Sequence, residues 1–79
     1  MELRILSPKG NKTLPVDWIE IMTPTGNMVI QPFHAPFIAN IVPNSVIIAA
    51  QGEQKTTINV SIGSIKVVFD TVILLMHEE

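Results

Sequence analysis

The sequence contains no cysteine and no tyrosine, a single tryptophan, and only 15% charged residues. Without cysteine no disulfide braces the chain, and two histidines, His34 and His77, are too few for a metal cage. Aromatics at 5% are too sparse to build the stacking platforms on which single-stranded nucleic acid is seated. Five basic against seven acidic residues give a net charge of −2, and Arg4, Lys9, Lys12, Lys55 and Lys66 stand singly. No basic stripe exists to neutralise phosphates, so nucleic acid is not an expected partner. The longest apolar runs, Val46 to Ala50 and Val72 to Met76, fall far short of the roughly 18 to 20 residues of a membrane helix. The opening stretch Met1 to Ser7 places Glu2 ahead of Arg4 among apolar residues, unlike an export signal. A cysteine-free chain is compatible with a reducing cytosol.

What is present points to one small all-β domain covering residues 1–79. A chain of this size buries only about 60 to 65% of the surface its unfolded form exposes, so its core must be dense. Hydrophobic residues make up 47%, and Ile, Val and Thr together number 26 of 79. Such β-branched side chains favour extended backbone. Leu3 and Ile5 define a first strand, turned by Ser7 to Asn11 into a hairpin; Ile19 and Ile21 define a second. The loop Thr23 to Asn27 is short and exposed, and Met28 and Ile30 resume the alternation beyond it. Two prolines around Phe33-His34-Ala35 make Gln31 to Pro36 an irregular, shaped connection.

Phe37, Ala39 and Ile41 share one face and Ile38, Asn40 and Val42 the other, until Pro43-Asn44 turns the chain. Val46 to Ala50 forms a strand closed by Gln51 to Gln54. Ile58, Val60 and Ile62 form the cleanest apolar face in the sequence, followed after Gly63 by Ile65, Val67 and Phe69, and then by a last strand, Val72 to Met76. Seven or eight short strands without a helical window describe a two-sheet β-sandwich or flattened barrel.

Catalytic chemistry has little to work with. No carboxylate neighbours His34 in sequence, so it reads as a packing or hydrogen-bonding loop residue rather than a general base. His77, Glu78 and Glu79 read as a solvated tail. The glycines have no phosphate-cradling spacing, so neither a catalytic residue nor a cofactor nor a small-molecule ligand is expected. Trp18 is a core or edge anchor or, alternatively, a partner-facing residue. Met28 and Phe33 either cap the end of the sandwich or belong to a protein interface.

The stretch Gly26-Asn27-Met28-Val29-Ile30-Gln31-Pro32-Phe33-His34-Ala35-Pro36-Phe37 resembles the G-E-L-G-I-x-P-G-H-A-P-L signature of the epsilon subunit of F-type ATP synthases. Leu3 to Gly10 is similar to that family's first strand and turn, Val60 to Val67 to its V-S-G-G-F-L-E-V strand, and Val72 to Leu75 to its closing V-T-V-L. Val29, Phe33, Asn44 and Ile62 stand where the family usually has glycine. Asparagine tolerates a left-handed backbone there, whereas Val29 and Ile62 do so only with strain.

The resemblance covers the N-terminal β domain and implies a non-catalytic subunit that binds gamma and rests on the c-ring. There it couples ion translocation to ATP synthesis, peripheral to the cytoplasmic face of a bacterial membrane or its organellar equivalent. The chain stops where the family continues into a helical hairpin, so braking of hydrolysis and ATP sensing are not expected of it. By resemblance Pro24, Thr25, Gly26 and Asn27 match the ring-facing turn and His34, Ala35 and Pro36 the block near the stalk and ring contact, and with Met28 and Phe33 they make up the expected interface with gamma and the c-ring. Both loops are expected at one end of the sandwich. A second reading is a free-standing sandwich adaptor that has lost the synthase role.

Overall fold

The computed structural model describes residues 1–78, with side chains for residues 1–77; the tail residue Glu79 of the sequence reading lies outside the described residues. Among the described residues nine strands follow in order: β1 Glu2–Ser7, β2 Gly10–Pro15, β3 Trp18–Thr23, β4 Gly26–Ile30, β5 Phe37–Asn40, β6 Ser45–Gln51, β7 Gln54–Val60, β8 Ile62–Val68 and β9 Thr71–Glu78. They form a five-stranded sheet, β2-β1-β9-β8-β5, and a four-stranded sheet, β4-β3-β6-β7. All neighbours are antiparallel except β1 and β9. The architecture is the two-sheet β-sandwich read from the sequence, with nine strands among the described residues where seven or eight were expected.

The core follows from strand alternation. Leu3 and Ile5 of β1 stand beside Val72 and Leu74 of β9, which stand beside Val67 and Ile65 of β8. On the facing sheet Ile19 pairs with Ile30 and Ala49, and Ile47 with Ile58. Inward-pointing residues of both sheets interdigitate into one cluster, the arrangement that closes a sandwich core. Phe37, Ala39 and Ile41 turn inward and Ile38 outward, as the alternation predicts.

Two apolar faces change course. Ile58 and Val60 point inward from β7, but Ile62 is 49% exposed. Ser61 alone joins β7 in one sheet to β8 in the other, and a register irregularity at Ile62/Gly63 lets the chain turn this corner. The inward phase resumes at Gly63, so the expected Ile58-Val60-Ile62 face belongs to two sheets. Phe69 likewise leaves the Ile65-Val67 face. It lies in the two-residue connection between β8 and β9, in a left-handed backbone with φ 56, and is 73% exposed.

Candidate functional site

The hairpin of β3 and β4 carries both candidate loops. At its tip the Thr23 hydroxyl donates to the Gly26 carbonyl at 2.8 Å, lies 3.0 Å from the Thr25 hydroxyl, and accepts the Thr25 amide at 3.3 Å. Gly26 has φ +126, which an L side chain rarely adopts. The turn is thereby held by its own side chains, and Pro24, Thr25, Gly26 and Asn27 are exposed on it. Met28 pairs with Ile21 and packs against the core.

Four residues after Gly26 the strand ends at Ile30, and the loop Gln31 to Pro36 begins. A five-residue strand rises about 16 Å at about 3.3 Å per residue. The two loops therefore leave opposite ends of the sandwich, which corrects the expectation of one shared end. The reason is topological: both flank one strand, and a strand delivers its termini to opposite edges of its sheet. Beside the Thr23–Gly26 turn lie the β5–β6 and β7–β8 connections, where Val42 N–H donates to the Met22 carbonyl and Asn44 N–H to the Ser61 carbonyl, each at 3.0 Å.

Beside Gln31 to Pro36 lie Asp17, whose amide donates to the Ala50 carbonyl and whose carboxylate accepts the Gly52 amide, both at 2.6 Å, and the Phe69-Asp70 turn. Lys55 Nζ lies 5.7 Å above the Trp18 ring at this same end. Trp18 is half-buried at the start of β3, an inner strand of its sheet, rather than on an edge strand.

The second loop opens with a β-turn in which His34 N–H donates to the Gln31 carbonyl at 3.2 Å. Pro32 holds its second position and Phe33, at φ 62, its third. A positive φ there is the mark of a type II turn, where glycine is usual. Phe33 is 73% exposed and meets Phe69 edge to face, ring centroids 6.3 Å apart. His34 is half-buried; its Nδ1 lies 2.8 Å from the Ala35 carbonyl and its ring packs 5.2 Å from that of Phe37. Phe33, His34, Ala35, Pro36 and Phe69 wall a shallow groove of about 300 Å³. Sequence reasoning missed Phe69 because its spacing continued the β8 alternation; the Asp70 that follows it was the available turn signal.

A left-handed backbone costs a bulky L-residue about 1–2 kcal/mol. Phe33 and Phe69 both adopt it, a joint cost of about 2–4 kcal/mol, whereas an edge-to-face aromatic pair returns about 0.5–1.5 kcal/mol. Their mutual contact does not offset their backbone. The groove's chemistry is apolar: among the described residues no carboxylate forms a salt bridge with His34 and no three His, Cys, Asp or Glu gather as for a metal.

Fold and surface define a small β-sandwich with two hydrogen-bonded loops at opposite ends. The chain belongs to the family of the ATP synthase delta/epsilon chain β-sandwich domain, whose model matches residues 1–78. Its fold is similar to a chain of the Euglena gracilis mitochondrial ATP synthase, in a structure of OSCP, F1 and c-ring, with TM-score 0.86 and 22% identity over 96% of this chain and 49% of that one. It is also similar to a chain of the Tetrahymena thermophila mitochondrial ATP synthase central stalk and c-ring, with TM-score 0.81 and 14% identity over 99% of this chain and 63% of that one. The chain thus spans about half to just under two thirds of those proteins. Comparison with curated protein sequences gave no match.

Proposed function

We propose that residues 1–79 act as a single β-sandwich unit of a central-stalk subunit in a rotary ATP synthase, without catalytic chemistry of its own. In this role it binds the gamma subunit and rests on the c-ring, helping to couple ion translocation to ATP synthesis. The observation that carries the reading is the family match over nearly the whole chain, joined to the signature stretch Gly26 to Phe37, which runs from the end of the first loop through β4 and the whole of the second. Because those loops stand at opposite ends, each takes one contact: the turn with Pro24, Thr25, Gly26 and Asn27 meets the ring, and the end with Phe33, His34, Ala35 and Pro36 meets gamma. The sandwich core is the spacer between them. The subunit is peripheral to the membrane through its complex, at the cytoplasmic face of a bacterial cell membrane or the equivalent face in an organelle; both structures it resembles are mitochondrial.

Purification of the ATP synthase from its native membrane through an affinity tag on this chain tests the reading. Gamma and the c-ring are expected in fixed ratio to the tagged chain. Capture of the tagged chain alone, while an intact synthase lacking it stays in the unbound fraction, overturns it.

A further inference from the structure

We infer that the outer face of the five-stranded sheet docks an apolar segment of a partner protein that carries a carboxylate opposite Lys66. This rests on the function proposed above, in which the partner is gamma, and adds the chemistry of that contact. Strand alternation builds the face. Ile65 and Val67 of β8 and Val72 and Leu74 of β9 turn inward, so Lys66, Val68, Ile73 and Leu75 turn outward beside Ile38 of β5. Ile38 pairs with Lys66 and Lys66 with Ile73, which sets the three in one row across three strands. Ile38 is 73% exposed, Val68 41% and Leu75 40%. The solvated face of an antiparallel sheet is ordinarily polar; exposed apolar side chains gathered on one instead mark an interaction surface. Pro36 lines both the groove of Phe33 and His34 and a shallow depression of about 380 Å³ shared with Ile38, Lys66 and Val68. The face thereby continues the surface proposed to meet gamma.

Charge selects the occupant. Arg4, at the far side of the same row, is paired with Glu2, and among the described residues Lys66 forms no ion pair. A wholly apolar segment laid over this face would strand an unpaired ammonium among isoleucines, which is costly; a carboxylate in the segment removes that cost. The sign is particular to this chain. Where the resembled V-S-G-G-F-L-E-V strand has glutamate, this one has Lys66. The sandwich accepts either charge at an exposed position, so the reversal answers to what covers the face.

A second copy offers a carboxylate too, because Glu20 stands between Val29 and Ile48 on the outer face of the four-stranded sheet. Joining those two different faces is a head-to-tail contact that leaves an open stack of chains. A partner that presents the carboxylate itself closes the face with one copy.

The test titrates the parent chain, Lys66→Arg, Lys66→Met, Lys66→Glu and Ile38→Ser against the purified gamma subunit of the same synthase, with melting and sedimentation of each chain alone. Both positions are exposed, so every variant should melt near the parent temperature. Lys66→Arg keeps the charge and should bind within about threefold of the parent, whereas Lys66→Met keeps only the apolar stem and should bind about tenfold more weakly. Lys66→Glu should bind more weakly than Lys66→Met, an order that a carboxylate counterpart dictates and a purely apolar contact does not. Ile38→Ser should lose about tenfold through the apolar part of the contact. Lys66→Met that binds like the parent, or Lys66→Glu that binds better than Lys66→Met, overturns the carboxylate. Ile38→Ser that binds like the parent overturns the face, and in each case the proposed function stands. Variants that melt well below the parent make these side chains part of the fold's own packing and overturn the inference. A parent that does not bind gamma overturns both. Parent self-association that Glu20→Gln and Lys66→Met each abolish makes the occupant a second copy and rejects the partner segment.

Discussion

Gly63→Ala is the most exacting perturbation of this sandwich, because one added carbon meets two fixed neighbours. A Cβ at Gly63 would lie 2.9 Å from the Leu75 carbonyl oxygen and 2.9 Å from Val60 Cγ1. Carbon atoms pack at about 3.5–4.0 Å, so the methyl overlaps Val60 by more than half an ångström. Neither neighbour yields easily: Leu75 belongs to the β8–β9 ladder opposite Ser64, and Val60 is 1% exposed in the core. Overpacking of this kind costs about 1–3 kcal/mol, offset in part by the about 0.4–1 kcal/mol that alanine gains through a less free unfolded chain.

With two neighbours overlapped the cost falls in the upper half of that range, and a net loss of about 1–2 kcal/mol lowers the melting temperature of a domain this size by about 4–16 °C. Thermal melting followed by circular dichroism reads the shift. Adding Val60→Ala removes one of the two clashes, so the double variant should lose less than the sum of the singles, a coupling of at least about 0.5 kcal/mol. A Gly63→Ala protein that melts at or above the parent, or strictly additive losses, refutes the reasoning.

Val60→Asp places an unpaired charge at a 1% exposed core position; a cost of several kcal/mol should abolish cooperative melting, and a parent-like transition would contradict the burial. Asn44 holds φ 58, so Asn44→Val should lower stability by about 1–2 kcal/mol while Asn44→Gly stays near the parent in urea titration. Thr23→Val keeps the side-chain shape but removes the hydroxyl that donates to Gly26 at 2.8 Å, a loss of about 0.5–1.5 kcal/mol; unchanged stability would show the turn does not depend on that bond.

Much of this fold was legible because period-two alternation and turn chemistry agree along the chain. The inward pairs Leu3 and Ile5, Ile19 and Ile21, and Ile65 and Val67 were readable as spacing alone. What escaped were places where the chain changes sheet or direction within one residue. Ser61 reverses the phase between Val60 and Ile62, and no local pattern marks a strand that crosses from one sheet to the other.

The glycine positions of the resembled signature show the same division. Gly26, with φ +126, and Gly63, with no room for a Cβ, are retained. Val29 and Ile62 stand where the side chain points to solvent from a strand, free of positive φ and hence of the strain the sequence reading attached to them. Asn44 and Phe33 keep the left-handed backbone without glycine, cheaply in one case and at a cost in the other. The placement of the two candidate loops required pairing information: only the β3–β4 register shows that Thr23↔Gly26 closes one end while Ile19↔Ile30 opens the other.

That separation allows the two proposed contacts to be tested apart. Pro24 and Asn27 are exposed at the turn proposed to meet the ring, about 16 Å of strand from the aromatic end. Neither side chain takes part in the Thr23 hydrogen bonds that hold the turn. Replacing both with lysine should therefore leave the fold near the parent, since exposed substitutions stay within about 0.5 kcal/mol each. The close-packed inner faces of β3 and β4 transmit little of a surface change, because Ile19, Ile21 and Ile30 are all but fully buried against the opposing sheet. Affinity for isolated gamma should then stay within about twofold of the parent, as expected for sites more than about 10 Å apart with no shared partner. In reconstituted membranes the same variant should hydrolyse ATP with fewer ions moved per ATP, because the altered turn no longer seats on the ring. Loss of gamma binding in step with pumping would mean that both loops serve one contact after all, and the sandwich would not be a spacer between two.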